Sequence, residues 1–452
     1  MPTFIERLRA IAKISRSHIY FDGKGRSYST LVDDVAAASR SLRRNSPASQ
    51  IVFWYGRDSY ALLCLLLACL ENKKILLPAG AKKVFRFAAE HVPFGSVYHN
   101  TICTHQFSGP NDFAGDGGLL ISTSGTTSNV KYAHLSEKMI LSNGDASQKL
   151  QGLAPSDNLV LHSRLTHTGG WNIHLLPGLL AGSNIYFFGA ASPYTMIKNF
   201  GRFKSFKTHL SPAQIQLLAA AKQWPTLNFN NMALCVTGSS EVRPHLIRSL
   251  LNKGANCVMR NYGLTEAGPV VFSKSTTSEF DELESLGELS ENFTARVDKD
   301  HHLHLAGDAL FSGYFCDREY KSRVTKFFDT GDLILKSSGR FYFGGRAEHL
   351  IKINQKIISP SIVEGQISKT FDEVTDCCLV PAGPSRLQLY CCGDRIRSAQ
   401  IKKLIARETN TTSVEIKHIR FLPRNLNGKV DRKLLLLATA EPVGESLIDA
   451  QL

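Results

Sequence analysis

"LLISTSGTTSNVKYAHLS", residues Leu119–Ser136, runs from an apolar segment into a cluster of small and hydroxylated residues with a lysine shortly behind it. A buried strand ending in a loop rich in hydroxyls and backbone N–H groups is a natural receptor for phosphate oxygens, and the lysine adds a point charge. The same composition also describes an ordinary solvated loop. The stretch does not fit G-x-x-x-x-G-K-[ST], because no second glycine stands between Gly125 and Lys131. A nucleotide held here is held by another class of loop.

Outward from this stretch the chain alternates strand-like and helical segments. Upstream, "IVFWYG" reads as a strand, "SYALLCLLLACLENKK" as a buried helix and "ILLPAG" as the next strand, the rhythm of parallel α/β layers. Downstream, "SNIYFFG", "KTHLSP" and "MALCVTGSS" are short apolar runs ending in Gly, Ser or Pro. Strand ends that carry loops at one sheet edge are where α/β proteins bind ligands. Near Gly344–Arg346 the pattern changes to short mixed elements that continue to "RKLLLLATA". This predicts a large α/β domain over residues 1–345, with layered sheets and helices, and a small α+β domain over 346–452.

Composition limits the function classes. With 452 residues, 43% hydrophobic and 20% charged, the chain supports a sizeable core and excludes wholesale disorder. Its most apolar run, Tyr60–Leu70, is about half the length that crosses a bilayer. The first twenty residues lack a continuous apolar core with a small-residue cleavage site, so no secretory signal and a cytoplasmic location are expected. Ten cysteines form no C-x-x-C pair and read as reduced core thiols. "HHLH", His301–His304, reads as a turn and strand edge, having no cysteine or acidic partner at metal-ligand spacing. Of the net charge of +14, residues 1–110 hold 15 Lys+Arg against 7 Asp+Glu, an excess of 8. No nucleic-acid signature accompanies it; the charge is either a solvated face or a steering surface for an acidic partner.

Four further segments stand in order behind the opening loop: "NYGLTEAG" (Asn261–Gly268), "FFDTGDL" (Phe327–Leu333), "GRAEHLIKINQKIISPSIVE" (Gly345–Glu364) and "LPRNLNGKVDRKLL" (Leu422–Leu435). Each alone is weak, but the five together are specific. With them the sequence resembles the adenylate-forming superfamily of acyl-CoA synthetases, adenylation domains and luciferases. The resemblance implies a large N-terminal domain, a mobile C-terminal domain and an active site between them. It implies activation of a carboxylic acid by ATP and Mg²⁺ to an acyl adenylate, then transfer to a thiol of coenzyme A or a carrier protein. An adenylate-only or amide-forming ligase is the alternative, and an inactive nucleotide-binding homologue a more distant one.

By that resemblance Thr123, Ser124, Gly125, Thr126 and Thr127 wrap the β and γ phosphates, with Lys131 closing the loop. Tyr262 stacks on adenine, Thr265 contacts the α-phosphate and Glu266 holds Mg²⁺. Asp332 accepts the ribose hydroxyls, with Arg346 beside it, and Lys429 bridges the substrate carboxylate and the α-phosphate. His167 sits where many acyl- and aryl-CoA ligases carry a histidine. The family's acid-holding aspartate of amino-acid-activating members has no counterpart between Asp157 and Ile185, which favours an uncharged acyl or aryl acid. Trp171, Gly169 and Gly170 shape either a flat pocket or a core. Departures from the family pattern are Ser128, Val130, Asn427, Glu348 at the hinge position, and Gln355 where thioester-forming relatives commonly have glycine.

Overall fold

The computed structural model describes residues 2–80, 92, 95–99, 102–107, 116–123, 131–278, 282–316, 319–354, 356–425 and 429–440. The three segments flanking the opening stretch form as read: strand Ile51–Tyr55, helix Tyr60–Glu71 and strand Ile75–Gly80. The helix is apolar all round and nine of its residues are buried, as expected of a helix packed on every side. Side chains alternate across the strand. Val52 and Trp54 join one core while Ile51 and Phe53 join another, because successive Cβ atoms point to opposite faces.

Two large sheets make the N-terminal layers. One places Glu319–Ser322, Gly313–Cys316, Tyr132–Ser136, Gly118–Ser122, Ile75–Gly80, Ile51–Tyr55, Gly95–His99 and Ile102–Phe107 side by side. The other has a parallel centre, in which Val258–Leu264, Met232–Thr237, Phe206–His209, Asn158–Leu161, Asn184–Phe187 and His18–Phe21 are successive neighbours. A shared core of Leu, Ile and Phe side chains joins the facing sides of the two sheets through helices Phe4–Ala12, Tyr28–Asn45, Tyr60–Glu71 and Glu137–Gln151. The far side of the second sheet is covered by helices Pro193–Phe200, Pro212–Ala219 and Pro244–Leu251.

A four-stranded sheet, Thr294–Val297, His302–Ala306, Phe328–Ser337 and Arg340–Arg346, precedes the change in pattern read from the sequence. Beyond it lie cores made only of residues after Leu350, built on the strands Val374–Gly383, Arg386–Gly393 and Val414–His418. This small α+β unit docks on the larger part through a buried polar contact. Arg243, 8% exposed, donates to Ser368 Oγ at 2.7 Å and to the Cys377 carbonyl at 2.9 Å, and stands 3.1 Å from Asp376. Arg424 spans the same seam, donating to Gln216 Oε1 at 2.9 Å and Asp376 Oδ2 at 2.6 Å.

Three composition readings meet the structure directly. The described cysteines are free thiols, mostly buried. His301 sits in a turn at φ +67° and His302–Ala306 is a strand. The basic N-terminal quarter is less of a free surface than its charge count implies. Lys74 is buried and its ammonium caps the backbone carbonyls of Ser46, Pro47 and Ser49, and Arg43 donates to Ser39 and Asn72. Arg7 and Arg9 are paired with Asp145 and Glu71. Among the described residues no helix is long and apolar enough to cross a membrane.

Candidate active site

The site begins with strand register. Asp332 and Arg346 are direct cross-strand partners in the hairpin of Phe328–Ser337 and Arg340–Arg346, so two residues fourteen positions apart face each other by pairing alone. Arg346 Nε lies 2.5 Å from Asp332 Oδ1, an ion pair without hydrogen-bond alignment. The other oxygen accepts the Tyr262 hydroxyl at 2.5 Å. Tyr262 comes from a different sheet, on strand Val258–Leu264. Burial raises the Asp332 pKa above its ordinary value, while the Arg346 charge and the Tyr262 bond hold it down.

Thr265 and Glu266 form the turn between Val258–Leu264 and Gly268–Thr276. Glu266 Oε1 accepts the Tyr314 hydroxyl at 2.8 Å, and Lys131 Nζ stands 5.4 Å from the centre of the Tyr314 ring. Tyr314 thus ties the lysine of the opening stretch to the carboxylate of the second motif. The sequence reading missed it. The opening stretch itself is an antiparallel hairpin, Gly118–Ser122 with Tyr132–Ser136, closed by a Thr123 N–H to Lys131 carbonyl bond of 2.8 Å. Ser124, Gly125, Thr126, Thr127, Ser128 and Val130 lie outside the described residues, as do Gln355 and Asn427.

Lys429 reaches the same cluster from the C-terminal unit. Its backbone is held against Asn425: the Asn425 N–H donates to the Lys429 carbonyl at 2.8 Å and the Lys429 N–H to Asn425 Oδ1 at 3.1 Å. Burial, and behind it the Arg346 charge, lowers the ammonium pKa, while Asp332, Glu266 and Glu348 act against that shift. The structure therefore brings Lys131, Tyr262, Glu266, Asp332, Arg346 and Lys429 into one charged region at the junction of the two units.

His167 is not part of that cluster. It is half-buried at the start of a helical segment whose next turn, Gly170–Leu175, is π-helix, a form frequent at functional sites. Gly170 is required there, since a Cβ would lie 2.0 Å from the Arg164 carbonyl oxygen. Trp171 is fully buried in the main core, its indole N–H donating to the Leu165 carbonyl at 2.6 Å, which settles it as core. Beside this turn the parallel strands Asn158–Leu161, Phe206–His209, Met232–Thr237 and Val258–Leu264 end at one edge. They deliver His162 and Ser163, His209, Gly238 and Ser239, and Tyr262 in turn. His209, which sequence reading reached only as a strand end, and its neighbour His174 in the π-helical turn are buried imidazoles.

The sequence profile of the AMP-binding enzyme family matches residues 102–315. The indoleacetate–CoA ligase of Aromatoleum aromaticum is 26% identical over 270 residues, 56% of this chain and 52% of that protein. These matches liken the chain to the adenylate-forming superfamily. Two solved structures share its fold. An anthranilate CoA ligase, AuaEII, in complex with anthranoyl-AMP, has a TM-score of 0.81 at 16% identity, covering 97% of each chain. ATP-bound MatB from Rhodopseudomonas palustris has a TM-score of 0.80 at 20% identity, covering 97% of this chain and 99% of its own. The chain spans about half the length of the curated indoleacetate relative. As expected, large N-terminal layers precede a small C-terminal α+β unit.

Proposed function

We propose that this adenylate-forming protein is an acid–thiol ligase. The carboxylate oxygen of an uncharged acyl or aryl acid attacks the α-phosphorus of ATP, the bond to the β-phosphate oxygen breaks, and pyrophosphate leaves. The thiol of coenzyme A or of a carrier-protein phosphopantetheine then attacks the acyl carbon and releases AMP. The observation that carries the reading is the meeting of Glu266, Asp332, Arg346 and Lys429 at the seam of the two units. Supporting it are CoA ligases among the relatives and an aryl adenylate in a structural neighbour.

In this reading residues 1–345 hold ATP and the acid, and 346–452 form the part that reorients between half-reactions. Asp332 and Arg346 engage the ribose, Tyr262 lies against adenine, and Thr265 contacts the α-phosphate. Residues 123–127 and Lys131 receive the leaving pyrophosphate, where preorganised donors act on charge that develops as the bond breaks. Lys429 neutralises the charge growing between carboxylate and α-phosphate, and His167 borders the acid. The donor set also fits Mg²⁺. No group of three or more metal-ligating side chains occurs among the described residues, and a hard ion held by one carboxylate, Glu266, and by substrate phosphates needs none. Bound there, the ion would neutralise phosphate charge. A cytoplasmic location fits an enzyme using ATP and a free thiol.

The test is to incubate the purified protein with ATP, Mg²⁺ and a panel of acids, with coenzyme A and with a holo carrier protein in parallel, and to read products by mass. A thioester with either acceptor supports the ligase; adenylate without thioester with both supports the adenylate-only alternative.

A further inference from the structure

The seam between the two units holds one carboxylate gripped by two cations. Asp376, on strand Val374–Gly383 of the small unit, is buried, and each of its oxygens meets a guanidinium. Arg243, at the N-terminal end of helix Pro244–Leu251 of the large unit, stands 3.1 Å from Oδ1. Arg424 donates to Oδ2 at 2.6 Å, and the same nitrogen donates at 2.9 Å to Oε1 of Gln216, on helix Pro212–Ala219 of the large unit. Because Arg243 also donates to Ser368 and to the Cys377 carbonyl, three groups of the small unit converge on one side chain of the large one. Apolar packing offers no substitute: the two apolar clusters of the small unit contain no described residue before Ile351. An orientation held by a few directional, charge-assisted bonds is set by their geometry.

Arg424 is also the base of the segment that carries Lys429. It forms an antiparallel bridge with Val430, and its neighbour Asn425 holds the Lys429 backbone through the two bonds described above. The path from the large unit to the lysine is therefore short: Arg243, Asp376, Arg424 and the backbone that follows. Lys429 stands among the charges of Arg346, Asp332 and Glu266, and its place there depends on how the small unit sits. We infer that Arg243 and Asp376 are positioning residues for the acid-activating step: their ion pair docks the small unit and, through Arg424, fixes Lys429 against Asp332 and Glu266. Both act through Lys429, and both lie outside the five sequence motifs. The inference rests on the acid-activating function proposed above and adds two residues to it. An ion pair that only stabilised the fold would lower every activity alike, whereas one that acts through Lys429 loses its effect once that lysine is gone.

Two measurements on the full chain test it, and the first needs no substrate. Lys369 Nζ and Glu284 Oε1 form an exposed ion pair across the seam at 2.6 Å, and Lys149 Nζ and Glu291 Oε2 an exposed pair within the large unit at 2.6 Å. A water-soluble carbodiimide activates each carboxylate, the lysine amine loses a proton and displaces the urea, and the amide yields are read from peptide masses. Arg243→Gln and Asp376→Asn should each lower the Lys369–Glu284 yield by about fivefold or more, as expected when one partner of a buried charge pair is removed. The Lys149–Glu291 yield should hold, which shows that the large unit is folded. Asp376→Asn keeps the size of the side chain and an acceptor for the Cys377 N–H, so it carries the test if Arg243→Gln does not fold. The second measurement is pyrophosphate release with ATP, Mg²⁺ and the best acid of a panel that includes benzoate, cinnamate and hexanoate. Each variant should lower kcat by about tenfold or more and leave KM for ATP within about threefold. In Lys429→Ala, adding Arg243→Gln should cost less than about threefold further, because residues that act as a unit are not additive. Wild-type rates or an unchanged seam yield in both variants overturn the inference and leave the function standing, and so does a full second loss on top of Lys429→Ala. Absence of release with every acid overturns the function and the inference with it.

Discussion

Two regions near the edge where the parallel strands end are built from opposite materials. At the junction of the two units, carboxylates are held by cations and tyrosine hydroxyls: Asp332 by Arg346 and Tyr262, Glu266 by Tyr314, with Lys429 among them. At the other end, neutral imidazoles are buried, with His209 Nε2 and both His174 nitrogens unpaired among the described residues. In the proposed function the first arrangement meets ATP, a ligand of many charges. The second holds polar atoms that are buried without partners among the described residues.

Replacing Lys429 by Ala should break the charged end most severely, lowering acid-dependent pyrophosphate release by about 10²–10³-fold, the range found when one preorganised donor to developing charge is removed. Thioester formation from supplied acyl adenylate should change far less. An unchanged adenylation rate in stopped-flow pyrophosphate assays removes Lys429 from the first step. The basic limb of the pH–rate profile should also lie below the ordinary lysine value, because burial lowers the Lys429 pKa, and Lys429→Arg should move that limb to higher pH.

Acid titration should distinguish the ends through stability. His209 and His162 each have a folded-state pKa of about 4 against the ordinary 6.5. Protonation therefore favours the unfolded chain. The stability is fully present above pH 6.5 and is lost as pH falls from there toward 4, on the order of 3 kcal/mol per histidine. Urea midpoints measured from pH 7 to pH 4 should fall, and His209→Phe should flatten part of the slope. An unaltered slope in that variant would show His209 to be accessible to water in the folded protein.

Asp332→Asn should weaken ATP binding by roughly ten- to a hundredfold, since bonds to a charged acceptor are worth about 1.5–3 kcal/mol, while acid binding changes little. Equal losses for both ligands in calorimetry would mean that the change spreads beyond the ribose site. The smallest effect is expected of Tyr314→Phe, which removes one hydroxyl from Glu266. A loss of about 0.5–1.5 kcal/mol corresponds to roughly a two- to thirteenfold rise in the Mg²⁺ concentration needed for half-maximal rate. An unchanged Mg²⁺ requirement would make Tyr314 a packing residue.

The charged end was legible in the sequence because its residues sit in short motifs whose local geometry does the placing. Asp332 and Arg346 meet through one hairpin register, and Glu266 stands in the turn that follows the Tyr262 strand. Tyr314 was not legible. It reaches Lys131 because Gly313–Cys316 pairs with Tyr132–Ser136, with Tyr314 opposite Ala133, a long-range pairing that no local pattern encodes. His209 and Ser239 were visible only as strand ends, since the edge they share depends on the order of parallel strands in the sheet. Lys74 misled in the other direction. A charge count treats every lysine as solvated, whereas this one is spent on three backbone carbonyls.

The central claim is that the charged end activates an acid with ATP. The most direct measurement is exchange of labelled pyrophosphate into ATP by the purified protein with Mg²⁺, with and without a panel of acyl and aryl acids. The account predicts exchange that requires the acid and is lost in Lys429→Ala. ATP binding in calorimetry with no exchange for any acid would contradict it.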